Sequence, residues 1–492
     1  MNTKLRKPCL KFLCMSFIIF WTATFVKAQP VLTYTPVLKN MSKPIDIKNA
    51  ADGSGRMFIV EQTGKIRIYK NGELLPKPFL DITNMVEQGT YKGIINIAFA
   101  PNYKINRTFF VYYLDTLNRS TIARFTASKQ NPDSAVVSSR RILYQFSPVD
   151  TGDTKISIGS MGFGRDRLLY ISLSDGSYIG KVTNLAQNGG LPYGKILRVD
   201  VNKLDSPYYK IPPSNPYANN PDIRHDIWAI GIRNMWRWSF DRLTGDMWLA
   251  DDGNSNRDEV NFVTPAEAKG GINFGWKCYE GDQVYDTTGC LPSTNYKFPA
   301  LSLIHDSIVG CYAIIGGHVY RGTQFPALYG YYVCSDYVTA NSWLMNPNGS
   351  GGWNVYRQPG VPPGIENYGE NESGELFATS LDGTVYQVGG IAGTSIVSSS
   401  INEVTIPATA ATQLKSRVYP TLVNNRMIVL ELNEPFGSFR LFDMNGNPVL
   451  KKDIKGLKGN VPVDLPATLL PGMYVVELSG QHSLKQKIFI SR

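Results

Sequence analysis

The sequence predicts an all-β protein, a six-bladed β-propeller followed by a small C-terminal β-sandwich. Three observations carry that expectation. Only 18% of the 492 residues are charged, with 45 Gly and 30 Pro, where a globular chain usually carries about a quarter charged. Such a turn-rich composition excludes a coiled coil, a collagen-like rod and a disordered tail. Between about residues 30 and 389, short strand-like runs recur with turn signals between them, and almost nothing keeps a helical period beyond two turns. Alternation resumes in roughly the last 80 residues, after a stretch without any period.

The first 28 residues are read as a signal peptide. A basic start (Lys4 to Lys11) precedes an apolar run from Phe12 to Val26, and Val26-Lys27-Ala28 suits cleavage before Gln29. The rival reading is a membrane anchor, but the run is about 15 residues where a span needs roughly 20. An exported protein, secreted or on the cell surface and with no transmembrane anchor, is expected. The segment holds five basic residues and no acid, so the formal charge of +10 falls to +5 without it. That is too dilute to argue for nucleic acid.

The clearest strand pairs are Met57–Tyr69 (MFIVEQTGKIRIY), Leu168–Gly176 (LLYISLSDG) and Glu375–Tyr386 (ELFATSLDGTVY), with Lys195–Asp200 and Asp246–Asp251 as single runs. A small sheet cannot bury both faces alone and must stack on neighbours around an axis, which is the logic of a propeller blade. Clusters near 41–80, 92–128, 157–201, 226–263, 310–346 and 370–388 give six blades, so the propeller is assigned to 30–389. Residues 390–412 read as a linker. The region 413–492 contains Met427–Leu432, Ser438–Phe442 and Met473–Leu478 joined by turns at Asp443–Gly446 and Leu470–Gly472, as in a sandwich. Export removes Cys9 and Cys14, leaving Cys278, Cys290, Cys311 and Cys334 in an oxidising compartment. Two disulfides are expected. Of three connectivities, Cys278 with Cys290 and Cys311 with Cys334 close the shortest loops, and zinc is disfavoured because no C-x2-C spacing occurs.

One dense series stands out: Ile230–Asp241 (IGIRNMWRWSFD), Leu243–Gly253 (LTGDMWLADDG), Arg257–Asn261 (RDEVN) and Gly271–Trp276 (GINFGW). With Gly93–Pro101, Gly316–Gly322 (GGHVYRG) and Asn371–Phe377, it resembles the glucose/sorbosone dehydrogenase family across nearly all of 40–389. The resemblance implies a six-bladed propeller that uses pyrroloquinoline quinone (PQQ) and calcium to oxidise an aldose at C1 to its lactone, passing electrons to an external acceptor. It implies calcium held by backbone carbonyls at Gly253 and Asn254, oxygen donors that suit a hard cation. It also implies an Arg-Asn pair, Arg233 and Asn234, on the cofactor, with Lys92, Arg321 and Asn341 at further cofactor positions. Read without the family, Arg233 and Asn234 could simply tie strands together. Asp251, Asp252, Asp258 and Glu259 could form a carboxylate calcium cluster or be turn acids.

The chemical centre departs from that pattern. The family's general base is a His in a stretch that here reads Ile156–Gly164 (ISIGSMGFG), so its position holds Ile156, which cannot accept a proton. A Gln position holds Lys92 and an Arg position holds Asn341. Substitute bases would be His305, with a structural role as its alternative, or a carboxylate such as Asp153. His225, His318 and His482 have no claim from the sequence. The C-terminal region resembles the sorting domain of type IX secretion cargo through Val418–Pro420, Leu441–Asp443 with Gly446, Leu470–Tyr474 and Lys487. That implies passage across the outer membrane and a secretion machinery as partner, with a carbohydrate-binding sandwich as the alternative. Three readings stay open: a PQQ-dependent sugar dehydrogenase, a catalytically degenerate propeller binding a glycan or protein at the cell surface as hedgehog-interacting propellers do, and a lactonase-like hydrolase with a central calcium.

Overall fold

The computed structural model describes residues 29–392 except 90–91, 149–158, 177–183, 270, 307–309 and 359, and residues 417–490 except 420–421, 424–426, 433–434, 444–446, 467, 471 and 481–482. Among the described residues six sheets of four or five strands, antiparallel except for one parallel pair in the third, make up the first region together with a separate two-stranded hairpin, as the strand–turn–strand pattern predicts. Blade 1 starts with Pro44–Asn49, blade 2 with Ile94–Phe99, blade 3 with Met161–Phe163, blade 4 with Arg237–Phe240, blade 5 with Ile314–Val319 and blade 6 with Ile365–Glu370. These six strands are the innermost of each sheet. Those of blades 1 and 2, 2 and 3, 4 and 5, 5 and 6, and 6 and 1 lie side by side.

Apolar side chains fill the spaces between blades. Phe110, Ile122, Leu169 and Leu197 pack between blades 2 and 3, and Trp228, Trp238 and Leu249 between 3 and 4. Trp248 and Tyr332 stack 4.3 Å apart between 4 and 5. Alternate residues of each strand therefore point to neighbouring interfaces, which is why isolated blades read as too apolar to stand alone.

Two features depart from the linear reading. The strand Pro30–Leu38 precedes the first cluster at 41–80, and the sequence assigns it to no blade. It pairs antiparallel with Thr384–Ala392 as the outer strand of blade 6, so the ring is shut by strands from its two ends, and the last strand runs past the expected boundary at 389. The cluster near 226–263 is also split. Ile227–Ile230 is the fourth strand of blade 3, with Ile272–Asn273 parallel beside it, and the outer strand of blade 4 is Leu301–Ile304. The reason is a turn-rich excursion over residues 200–226 inserted inside blade 3, which spacing alone reads as a blade boundary.

The axis is packed with polar groups. Arg237, 2% exposed, donates from Nη2 to the Ile45 carbonyl at 2.8 Å, from Nη1 to Ile95 at 3.1 Å and from Nε to Glu366 at 3.4 Å. One guanidinium thus bonds the inner strands of blades 1, 2 and 6 from blade 4. Close approach there demands a residue without a side chain, since a Cβ on Gly316 would lie 2.2 Å from the Arg237 carbonyl. At the far end of the inner strands Arg242 reaches across to the carbonyls of Glu372 at 2.8 Å and Asn371 at 3.3 Å.

His318, on the inner strand of blade 5, is pushed down to about 3 by burial, with Lys48 adding repulsion. The unfolded chain takes up this proton near pH 6.5 and the folded ring only near 3. Stability is therefore lost progressively as pH falls below about 6.5. His318→Gln is expected to move the midpoint of acid unfolding, followed by tryptophan fluorescence, to lower pH; an unmoved midpoint would show that other groups govern the acid limb.

The region 417–490 forms a three-stranded sheet (Arg417–Tyr419, Met427–Leu432, Gly459–Asp464) and a five-stranded sheet that includes Phe436–Phe442, Gly472–Gly480 and Ser483–Ile490. They share one core of Ile428, Leu430, Phe439, Leu441, Val476 and Ile488, which makes this the expected sandwich. Cys278 and Cys290 are disulfide-bonded, as the shorter-loop argument favours. Cys311 and Cys334 are not: both are buried free thiols. The Cys311 thiol lies 3.0 Å from Asp258 and 3.2 Å from Asp336, while Cys334 Sγ faces the Trp343 carbonyl. Sequence spacing measures loop length, whereas the strand geometry turns these two sulfurs to different neighbours. No helix of the described residues is long and apolar enough to cross a membrane.

Candidate functional site

Inner strands all start at one end of the ring, and the site gathers there in blade 4. Arg233 and Asn234 form the turn just before the strand Arg237–Phe240. Asp251 ends the next strand and, because the two are antiparallel, arrives at the same end. Its carboxylate accepts the backbone N–H of Arg233 at 3.0 Å and of Asn234 at 2.6 Å, which fixes the turn. Asp252 completes the frame. Its carbonyl accepts from Arg233 Nη1 at 2.7 Å and its carboxylate from Asn234 Nδ2 at 3.1 Å. Arg233 Nη2 also reaches Asn254 Oδ1 at 3.4 Å, and the guanidinium lies 6.0 Å over the Trp276 ring, whose indole donates to Asp175 at 2.6 Å. Arg233 Nε is buried and has no hydrogen-bond partner among the described residues.

The loop after Asp252 is held from behind. Gly253 donates to Asp258 at 2.8 Å, and the N–H groups of Asn254, Ser255 and Asn256 all point at one oxygen of Glu280. Gly253 is required by close approach, since an added Cβ would sit 1.7 Å from the Arg257 carbonyl. The carbonyls of Gly253, Asn254 and Ser255 accept no hydrogen bond from a described residue. Arg233 and His305 are outnumbered here by Asp251, Asp252, Asp258, Glu259 and Glu280. Burial pushes Asp251 up to about 7, with repulsion from Asp175 adding to it. Burial followed by repulsion from Asp258 does the same to Asp252. Glu259 is raised by burial and by Asp251.

Asp258, Cys311 and Asp336 are buried close enough to suggest a metal centre, but their lone pairs are already taken. Asp258 Oδ1 accepts from Gly253 N and from His305 Nε2 at 2.8 Å, and Oδ2 from Ile314 N and the Cys311 thiol, each at 3.0 Å. Asp336 takes Tyr312 N, Ala313 N, Val338 N and Thr339 N. Burial and the two carboxylates hold the Cys311 thiol protonated, so it donates. This is a satisfied hydrogen-bond network, not a set of ligands.

The remaining candidates are placed as follows. His305 does not reach the mouth. It stands behind the loop, where its ring bonds Asp258 and its N–H bonds the Asn256 carbonyl at 2.7 Å. Burial opposes its cation, but the hydrogen bond and charge of Asp258 outweigh this and hold its pKa above the ordinary value. That is the structural role. Arg321, just past the inner strand of blade 5, bonds through Nε to Asp241 at 2.9 Å at the opposite end of the strand Arg237–Phe240, so the geometry separates it from Arg233. Lys92 pairs with Glu87 at 3.5 Å at the start of blade 2. Asn341 donates to the Gly310 carbonyl at 2.9 Å and accepts from Arg357 at 2.8 Å, a tie inside blade 5. His225 lines a shallow cleft of about 400 Å³ with Arg224 and Asp226, remote from Arg233. Ile156, Asp153 and His482 lie outside the described residues. Sequence reasoning missed Asp175 and Glu280. Asp175 lies in the Leu168–Gly176 run with no role assigned to it, whereas Glu280 has no local signal at all, because its role arises from a contact 24 to 26 residues away.

The chain is 29% identical over 369 residues to the HIPL2 protein of Arabidopsis thaliana, covering 61% of this chain and 52% of that protein. It is 27% identical over 385 residues to the Hedgehog-interacting protein of Mus musculus, covering 71% and 50%. The chain thus spans about half the length of these relatives. The PQQ-bound aldose sugar dehydrogenase of Streptomyces coelicolor superposes with a TM-score of 0.57 over 74% of this chain and 99% of that one at 17% identity, which shows the shared propeller fold. Residues 41–341 match the Glucose / Sorbosone dehydrogenase model, a span that holds every element of the Arg233 site, and the chain belongs to the glucose/sorbosone dehydrogenase family.

Proposed function

We propose that this protein is an exported, PQQ- and calcium-binding sugar dehydrogenase-like propeller that oxidises an aldose at C1 to the lactone, carried outward by a signal peptide over residues 1–28 and a type IX sorting domain over 413–492. The observation that supports it most is the pairing of a buried guanidinium, whose Nε has no partner among the described residues, with a loop whose three successive carbonyls likewise accept from no described residue. Buried polar groups are normally satisfied, so the leftover Arg233 Nε suits an anionic group, and three successive carbonyls that accept no hydrogen bond from a described residue are oxygen donors of the kind a hard cation takes. The surplus of carboxylates around the loop favours positive charge for the same reason.

If bound there, PQQ held by Arg233 and calcium held by the Gly253 loop would supply a hydride acceptor and a Lewis acid. The chain's own part is positional. Asp251 fixes the Arg233–Asn234 turn, Arg233 holds an anionic oxygen through its fork, Trp276 screens the guanidinium from water, and Glu280 with Asp258 sets the loop. What these residues do not provide is proton removal from the anomeric hydroxyl, since position 156 is Ile. The partners of this reading are a sugar, an external electron acceptor and the secretion machinery.

A second reading has its own support. Ile156 and the resemblance to the Hedgehog-interacting protein favour a propeller that binds a glycan or protein partner without turnover. Reconstitution separates the two. Adding calcium and PQQ to the purified chain is expected to give the bound-quinone absorption spectrum, and dye reduction with a sugar panel then reads turnover. Binding without turnover selects the second reading, and absence of binding removes the dehydrogenase. Ile156→His is expected to raise dye reduction at least about tenfold, a floor set below the 10²- to 10⁴-fold contribution of a well-placed general base; a flat response would mean that more than the base is missing.

A further inference from the structure

The loop closed by Cys278 and Cys290 carries Glu280, which is 2% exposed in a short hairpin of Tyr279–Glu280 and Gln283–Val284. Its Oε1 accepts three consecutive backbone N–H groups, Asn254 at 2.5 Å, Ser255 at 2.7 Å and Asn256 at 3.0 Å, and its Oε2 accepts Asn256 Nδ2 at 2.9 Å. Across a planar trans peptide the carbonyl points opposite to the N–H. The carbonyls of Gly253, Asn254 and Ser255 are therefore all turned away from Glu280. The preceding peptide obeys the same logic, with Gly253 N–H on Asp258 and the Asp252 carbonyl on Arg233. Tyr285, in the same closed loop, accepts from the Asn254 side chain at 3.0 Å.

We propose that Glu280 is a positioning residue for cation binding: from within the disulfide-closed loop it orients three successive peptide carbonyls outward, so that the affinity of a hard divalent cation depends on a carboxylate that does not touch it. This rests on the cation reading of the site. Charge-assisted hydrogen bonds are roughly twice as strong as neutral ones, and one oxygen here holds three peptide planes. The disulfide confines the supporting hairpin, so the loop stays set without spending binding energy on ordering it.

A matched control exists at the far end of the ring. The Glu372 carboxylate accepts the N–H groups of Asp52 at 3.1 Å and of Gly53 and Gly55 at 3.0 Å each, the same kind of cradle without the site. Calcium chloride is titrated calorimetrically into the full-length mature chain, without quinone. Glu280→Gln keeps the shape and loses the charge, and is expected to weaken calcium affinity about tenfold or more. Glu372→Gln is expected to lower the melting temperature comparably while leaving calcium affinity within about twofold. Equal affinity for wild type and Glu280→Gln overturns the role of Glu280, as does an equal loss in Glu372→Gln. A wild type that takes up no calcium overturns the cation reading itself, and with it this proposal. Should Glu280→Gln not fold, Tyr285→Phe tests the same hairpin through the Asn254 side chain, with a two- to threefold loss expected and an unchanged affinity counting against the proposal.

Discussion

Replacing Arg237 with leucine is expected to lower the melting temperature of the propeller by roughly 10 °C, the largest stability loss of any single substitution considered. Three carbonyls from three blades lose their only charged donor, and unsatisfied buried acceptors cost about 1–3 kcal/mol each. Glu366, which burial already pushes up to about 7 against the attraction of Arg237, loses its counter-ion as well. Breaking a buried pair costs about 3–5 kcal/mol, and each kcal/mol shifts a large domain by about 2–4 °C. Scanning calorimetry measures this directly. The double variant Arg237→Leu with Glu366→Leu is expected to recover part of the loss, because no lone buried charge then remains. A single variant melting within 2 °C of wild type would mean that the axis is held by packing rather than by this guanidinium.

The second large effect concerns ligand binding. Gly253→Ala places a Cβ at 1.7 Å from the Arg257 carbonyl and 2.9 Å from Glu280, the first of these a backbone atom on a strand that cannot retreat. The loop must move, and with it the three outward carbonyls. Calcium affinity is expected to fall about a hundredfold or more, equivalent to roughly 3 kcal/mol, while the melting temperature changes little because the loop lies at the end of the ring and not between blades. Calcium titration and calorimetry on the same sample report both. Retained affinity would place the cation somewhere other than this loop.

How much of this was legible beforehand depends on the range of the contacts. Blades were visible because each is a local strand–turn–strand unit, and Arg233, Asn234 and Gly253 because they lie inside one continuous motif series. What escaped notice was long-range. Pro30–Leu38 falls outside the six clusters because its partner at 384–392 lies at the other end of the propeller, and the 200–226 excursion imitates a boundary. Cys311 was assigned a bridge from loop length alone, yet its sulfur is a hydrogen-bond donor to carboxylates from two blades. His305 and Arg321 stand out by position in a motif, and each has a carboxylate partner, Asp258 and Asp241, that holds it away from the Arg233 site. Glu280 shows the converse: an unremarkable letter in sequence becomes the keystone of a loop because a disulfide-closed hairpin happens to deliver it.

The way the ring is shut also bears on how the chain must come into being. Tyr34 and Tyr368 join hydroxyls at 2.9 Å across 334 residues of sequence, and every rung between Pro30–Leu38 and Thr384–Ala392 is of comparable span. A ribosome releases the first of these strands long before the second exists, so its hydrogen-bonding edge stays open through nearly the whole of synthesis. The circle is consequently closed late, once the strands of blades 1 to 5 and the inner strands of blade 6 have already been made.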